Sequence, residues 1–279
     1  MSSHPKKNPK SGARPLPLVV PPPPVAAGPA SIPGKNGDVV RAPANATLTL
    51  SILIPVYNER ATIAELLRRV HAVPLEGIVK EVIVADDGSS DGTRDEVDRF
   101  AREHPDLKLE LRVHAQNRGK GAAVRTALEA STGDLVLIQD GDLEYNPADY
   151  PVLLAPLLDG RVDAVFGSRF LGGPHRVLFF WHSVGNKVLT TLSNVFTNYN
   201  LTDMEVCYKA MHRHVAVSLN LVSDRFGIEP EITAKLARGG FRLYEVPVSY
   251  AGRSYEEGKK IGWKDGVAAL AHIVRFRFL

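Results

Sequence analysis

Residues 135–147 read LVLIQDGDLEYNP, and the reading of this stretch decides the fold. Leu135 to Ile138 are apolar, and acids spaced two apart follow at Asp140, Asp142 and Glu144. A short apolar run closed by turn residues reads as a buried strand. Asn146-Pro147 then supplies a cap and a first-turn proline for the next helix, and Pro151 predicts that this helix opens with a short separate turn. Working outward, TLSILIPVY (49–57), EVIVADD (81–87), LKLELRVHA (107–115) and DAVFGSRF (163–170) have the same strand texture. Helical stretches separate them. Between residues 60 and 73, Ile63, Leu66, Leu67 and Val70 share one face. SDGTRDEVDRFARE begins a helix with Ser90 or Asp91 as its cap, and KGAAVRTALEAS forms another. Strands alternating with helices predict an α/β fold: a mostly parallel, Rossmann-like sheet with helices on both faces and right-handed crossovers. Ligands bind such sheets beyond the carboxyl ends of the strands.

Polar residues gather at those ends. The first strand leads to Pro55-Val56-Tyr57-Asn58-Glu59, the second to DDGSSDGT and the third to Gln116-Asn117-Arg118-Gly119-Lys120-Gly121. The fifth leads to Gly167-Ser168-Arg169. Each loop alone reads equally well as turn and capping chemistry. Together, at the end where binding is expected, they read as a site. A dinucleotide enzyme is excluded by placement, because no G-x-G-x-x-G follows the first strand, and no G-x-x-x-x-G-K-[ST] loop offers a phosphate cradle. An EF-hand needs glycine where Tyr145 stands. Two carboxylates ~5 Å apart repel by roughly 3 kcal/mol at an effective dielectric of 20. A divalent cation removes that cost. Asp140, Asp142 and Glu144 would converge on one if the strand's extension persists through them.

The chain has 279 residues, 44% of them hydrophobic, with a formal net charge of +3. That charge is too small to indicate a nucleic-acid partner. The lone cysteine, Cys207, excludes an internal disulfide and fits a reducing compartment. More than half of the 20 prolines fall within residues 1–47, which read as a disordered tail with a polyproline II segment at PPPP. No segment approaches the ~20 apolar residues of a membrane span, and the N-terminus does not read as a signal peptide. These readings predict a cytoplasmic protein, soluble or peripheral on the cytoplasmic membrane face. Residues 263–279 read as an amphipathic helix, either lying on an anionic membrane or packed as a final helix.

SILIPVYNER, VIVADDGSSDGT, NRGKGAA, DLVLIQDGDLEYNP and VFGSR, in this order, resemble family 2 glycosyltransferases of the GT-A fold over residues 48–262. The second half resembles the dolichyl-phosphate mannosyltransferase group, which moves a sugar from a nucleotide to a polyprenyl phosphate. The resemblance implies that Pro55, Tyr57, Asn58, Glu59, Val84 and Asp86 hold the base and ribose of a nucleotide-sugar donor such as GDP-mannose or a UDP-hexose. It implies a donor-side place for Lys120 and Gly141, and a metal and diphosphate site of Asp140 and Asp142 with Mg²⁺ or Mn²⁺. Glu144 stands where the family often has glutamine, as a further ligand or a tuner of metal choice. Arg169, Arg253 and Lys259 match positions near the donor phosphates, and Asp203 and Glu205 are further site acids, counted with Asp142 and Arg169 as catalytic. His182 and Asn186, four apart on one helical face, stand roughly where the family binds the lipid phosphate. A histidine there implies acceptor affinity that falls as pH rises past ~6.5. Leu178, Phe179, Phe180 and Trp181 read as membrane interface or as core, with core the better reading for Trp181. The partners implied are the donor, a polyprenyl phosphate, a membrane surface and a membrane partner protein. Two other readings keep the donor site: a glycan or small-molecule acceptor, and an inactive binding module.

Overall fold

The computed structural model describes residues 31–33, 39–41, 47–172, 180–252 and 263–278. The expectations for Leu178, Phe179, Arg253 and Lys259, and for most of residues 1–47, lie outside these. Within that proline-rich stretch, β1 (Ser31–Pro33) and β2 (Val39–Arg41) pair antiparallel, with Pro33 opposite Val39. A proline fits this ladder because both strands of a two-stranded sheet are edge strands, where a missing donor is tolerated.

From Leu48 the chain alternates as its texture predicts. β3 (Leu48–Val56), β4 (Ile78–Asp86), β5 (Lys108–Val113) and β6 (Leu135–Ile138) are separated by α1 (Ile63–Ala72), α2 (Thr93–Glu103) and α3 (Lys120–Ala130). After β6, a 3₁₀ turn at Pro147–Asp149 precedes α4 (Tyr150–Leu158), and Asn146 Oδ1 accepts from Ala148 N at 3.1 Å. That is the separate first turn which Pro151 predicts. β7 (Ala164–Ser168), α5 (Phe180–Thr197), β8 (Lys209–His212), α6 (Arg213–Ser218), α7 (Ile228–Arg238), β9 (Leu243–Pro247) and α8 (Trp263–Phe278) follow. The second helix starts at Thr93, with Gly92 in the cap position. Asp91 still serves it, accepting from Thr93 N at 3.0 Å.

The sheet order is β5-β4-β3-β6-β8-β7-β9. All neighbours pair parallel except β8, which is antiparallel to both β6 and β7. β3, β6 and β7 are buried along nearly their whole length, as expected of strands covered on both faces. α3 packs on β3 and β4, α4 on β7 and β8, and α8 on α5 and α7. The carboxyl ends of β3, β4, β6 and β7 therefore share one edge. β8 runs the other way, so its first residue, Lys209, meets them there.

Candidate functional site at the carboxyl edge

β6 stops at Ile138, and residues 139–144 bend away from extended geometry. The premise that would make three alternating acids converge does not hold. Among the described residues, Asp140, Asp142 and Glu144 do not form a trio of ligand atoms within 4.8 Å of one another. Glu144 turns to Tyr250, whose hydroxyl donates to its Oε2 at 3.0 Å, and Ala251 N donates to its backbone oxygen at 2.8 Å. Asp142 is buried and accepts from Glu144 N at 3.1 Å. Gly141 between the two aspartates lies against the end of β3. A Cβ there would come within 2.7 Å of Val56 Cγ1, so the loop can adopt this path only with glycine.

The residue before the acids is locked. Gln139 Nε2 donates to the Asp140 carbonyl at 2.9 Å, and its Oε1 accepts from the Tyr150 and Tyr208 hydroxyls at 2.8 Å each. Asp140 itself meets Lys120, the first residue of α3, at 2.8 Å. Lys120 also contacts Glu229 Oε1 at 3.0 Å, and Glu229 Oε2 meets Lys209 at 2.5 Å. Two ammonium groups thus alternate with two carboxylates, and Lys209 is completely buried. Burial pushes the Asp140 carboxyl up, but the Lys120 ammonium outweighs it and holds the group below the usual carboxylate range. Burial likewise opposes the Lys120 charge, and Asp140, with Glu229 among the others, keeps it well above the ordinary lysine range.

A second ion pair stands at the end of β7. Arg169 grips Asp203 in a two-pronged contact, Nε to Oδ2 at 2.6 Å and a terminal nitrogen to Oδ1 at 2.7 Å. Its guanidinium lies 5.1 Å from the Tyr250 ring centre. Two residues on, Glu205 differs from every acid so far: its Oε1 is buried without a hydrogen-bond partner. Burial, and next the Glu229 carboxylate, push the Glu205 carboxyl up to about 7, against the pull of Lys209 and Arg169.

The first two loops are built on each other. Asn58 has φ 53° and accepts from Ser90 N at 3.0 Å, while its own N donates to Ser89 Oγ at 2.9 Å. Thr62 Oγ1 joins the buried Glu59 carboxylate (2.8 Å) to the Gly141 carbonyl (3.2 Å). Asp86, fully buried, accepts from Ser89 N and from Arg94 Nε. Tyr57 is exposed and Pro55 buried. Val84 packs in the core with no exposed surface, opposite Ile54 and Leu111. Asp87 latches the third loop, accepting from Arg118 N (2.8 Å) and Gly119 N (2.7 Å).

Residues 51–218 match the sequence model described as glycosyl transferase family 2. The chain belongs to that family. Among curated relatives, glycosyltransferase AglJ of Haloferax volcanii is 34% identical over 200 residues, covering 71% of this chain and 62% of that one. The undecaprenyl-phosphate 4-deoxy-4-formamido-L-arabinose transferase of Aeromonas hydrophila is 30% identical over 211 residues, covering 75% and 62%. This family 2 chain therefore spans less than two thirds of the length of those relatives. Among solved structures, glucosyl-3-phosphoglycerate synthase of Mycobacterium tuberculosis, in complex with Mn²⁺, UDP and glucosyl-3-phosphoglycerate, superposes with a TM-score of 0.64 at 21% identity, over 83% of this chain and 81% of that one. This likeness establishes the GT-A fold. The mannosyltransferase PcManGT of Pyrobaculum calidifontis, in complex with GDP-Man and Mn²⁺, reaches 0.57 at 26% identity, over 83% and 63%.

Between the ends of β7 and β8, the family 2 domain carries α5. Trp181, read as core from sequence, is 77% exposed, and Phe180 and Val195 are 69% and 72% exposed. His182 and Asn186 are half-buried on the same helix. α8 packs against α5 and α7 with one face and leaves the other exposed. Ala269, Ile273 and Phe276 are buried, while Leu270, Val274 and Phe278 are exposed beside Arg275 and Arg277. Among the described residues, no helix is long and apolar enough to cross a membrane. Sequence reasoning missed Glu229, Lys209, Gln139 and Tyr250. A lysine inside the apolar stretch CYKAMH was the available signal for Lys209, since an unpaired charge would not be buried there.

Proposed function

We propose that this protein transfers a hexose from a nucleotide sugar to a polyprenyl phosphate at a membrane surface, with inversion at the anomeric carbon. One observation carries the reading. The carboxyl edge gathers Asp140, Asp142, the Arg169–Asp203 pair and an unsatisfied Glu205 oxygen, while the chain between Arg169 and Asp203 exposes Phe170, Leu171, Phe180, Trp181, Val188 and Val195. The excursion from Arg169 to Asp203 thus starts and ends beside the edge that carries Asp140 and Asp142 and exposes apolar surface between, which supports a lipid acceptor next to the donor. The relative named as an undecaprenyl-phosphate transferase supports the acceptor class.

Asp140 and Asp142 would hold a divalent cation, Mg²⁺ or Mn²⁺, because hard oxygen donors suit these ions. The Lys120 ammonium holds the Asp140 carboxyl in its ionised form, the form a hard cation takes as ligand, and the ion would have to share that carboxylate with Lys120. When bound, such an ion acts as a Lewis acid on the departing diphosphate. Asn58, Glu59 and Asp86 stabilise the paired loops that receive base and ribose. Asp203 fixes the Arg169 guanidinium in one orientation, so its remaining donors face developing phosphate charge without reorganising. Arg253 and Lys259 are proposed for the same phosphates on the family resemblance. His182 and Asn186 are proposed for the acceptor phosphate. That group is largely dianionic above its second pKa of ~6, so attack on the anomeric carbon needs no strong base.

The test is incubation of the protein with labelled GDP-mannose, UDP-glucose and UDP-GlcNAc, polyprenyl phosphate, and Mg²⁺ or Mn²⁺. Metal-dependent appearance of a lipid-linked sugar is expected from one donor. Transfer to water-soluble acceptors but never to the lipid would overturn the acceptor. No nucleotide binding by calorimetry would overturn the enzyme reading altogether.

A further inference from the structure

At the amino ends of the strands, opposite the acids, another group of ligand atoms gathers. His71 stands in the last turn of α1, His104 is the residue that closes α2, and Asp106 follows in the turn into β5. One ligand atom from each lies within 4.8 Å of the other two. His71 Nε2 is already 2.8 Å from Asp106 Oδ2, and the two imidazole rings are 4.9 Å apart between centres. The three residues come from two pieces of backbone, the end of α1 and the turn from α2 into β5, and each piece is pinned. Lys80 Nζ donates to the Val70, His71 and Val73 carbonyls at the end of α1. His104 N donates to Phe100 O at 3.0 Å, its ring stacks on Phe100 at 4.2 Å, and Leu107 N returns to His104 O at 3.1 Å.

We propose that His71, His104 and Asp106 form a transition-metal site, suited to Zn²⁺ and separate from the donor site. Two imidazoles and a carboxylate are ordinary zinc donors, and a fourth tetrahedral position is left for water. Zinc–ligand bonds of about 2.0–2.1 Å place ligand atoms roughly 3.4 Å apart. Closing the trio from its present spread asks for about an ångström of side-chain rotation. Asp106 supplies that movement, being the most exposed of the three. The last turns of α1 and α2 both point their negative ends here, which favours a cation. Lys80 opposes it, but its ammonium is already engaged by three carbonyls. Imidazole donors select against Mg²⁺, so this site and the aspartates of the carboxyl edge sort different ions. An ion bound here braces α1 against the turn that leads into β5, and stabilises the fold by mass action.

The experiment uses the full chain stripped with EDTA, titrated with Zn²⁺ and separately with Mg²⁺, followed by calorimetry and thermal melts. One equivalent of Zn²⁺ should bind and raise the melting temperature by several degrees, with no such effect from Mg²⁺. His104→Gln and Asp106→Asn should each abolish the shift while leaving the metal-free melting temperature close to that of the parent chain. Absence of stoichiometric Zn²⁺ binding overturns the proposal. So does a shift that survives in His71→Gln/His104→Gln, because the zinc would then be held elsewhere.

Discussion

Two glutamates at opposite ends of the sheet, Glu81 buried and Glu205 half-buried, are treated in opposite ways. Glu81, early in β4, accepts from Ser51 Oγ at 2.5 Å, from Thr132 N at 2.8 Å and from Thr132 Oγ1 at 2.7 Å, and pairs with Lys108. Burial alone would raise its carboxyl; Lys108 and the hydroxyl and amide donors bring it down to about 2. Glu205 is half-buried at the carboxyl edge, with one oxygen left unpartnered, and burial pushes it up to about 7. Native folds rarely leave a buried oxygen unpaired. The acid that only joins strands is satisfied by the fold. The acid at the carboxyl edge is left incomplete, and burial with a missing partner is what marks a candidate functional group.

Four measurements would break or sharpen this contrast. The largest effect belongs to the carboxyl edge: on the proposed function, Asp142→Asn should lower transfer by ~10³-fold in initial-rate assays while leaving the urea midpoint near that of the parent. Normal turnover would remove Asp142 from the metal site. Glu229→Ala leaves Lys120 and Lys209 without their shared carboxylate, and should cost about 3–5 kcal/mol in urea unfolding. A small loss there would mean that water reaches the quartet. Glu81→Ala should cost about 2–3 kcal/mol, because the Ser51 and Thr132 donors lose their acceptor. Its rate per folded molecule should not change, and a fallen rate would erase the division of labour between the two ends.

The smallest effect is in pH dependence. Glu205 is raised from 4.5 to about 7, so its contribution to stability is fully present below about 4.5 and lost as pH rises through about 7. Glu205→Gln should therefore be more stable than the parent at pH 8 and nearly equal to it at pH 4. Glu81 has the opposite sign: its contribution is present above 4.5 and lost as pH falls through about 2. Parallel urea melts of the two variants across pH should slope in opposite directions. Equal slopes would show that the two environments are not distinct.

Much of this was legible in the sequence, for reasons that are local. Apolar runs and the α1 face at Ile63, Leu66, Leu67 and Val70 report burial directly, so β3 to β7 and their helices follow from periodicity. The site's location follows from the strands' carboxyl ends. What escaped depends on distant partners. Lys120, Asp140, Lys209 and Glu229 lie far apart in the chain, and only the fold brings them together. The alternation of Asp140, Asp142 and Glu144 misled because strand geometry ends at Ile138. Trp181 misled because an aromatic residue signals burial without saying what buries it. The reversed β8 was illegible: four residues give no clue to direction.

That reversal has an evolutionary consequence. β7 leaves the sheet and β8 re-enters it at the same edge, side by side, with Phe166 opposite Lys209. The chain between them leaves and rejoins the sheet at two adjacent points, and α5 within it also packs on α7 and α8. Lengthening such a loop is cheap, about 0.6 kcal/mol for each doubling. The length of chain between Arg169 and Asp203 can thus change while the strands that lead to the paired aspartates keep their register, because the two ends that must stay fixed lie side by side.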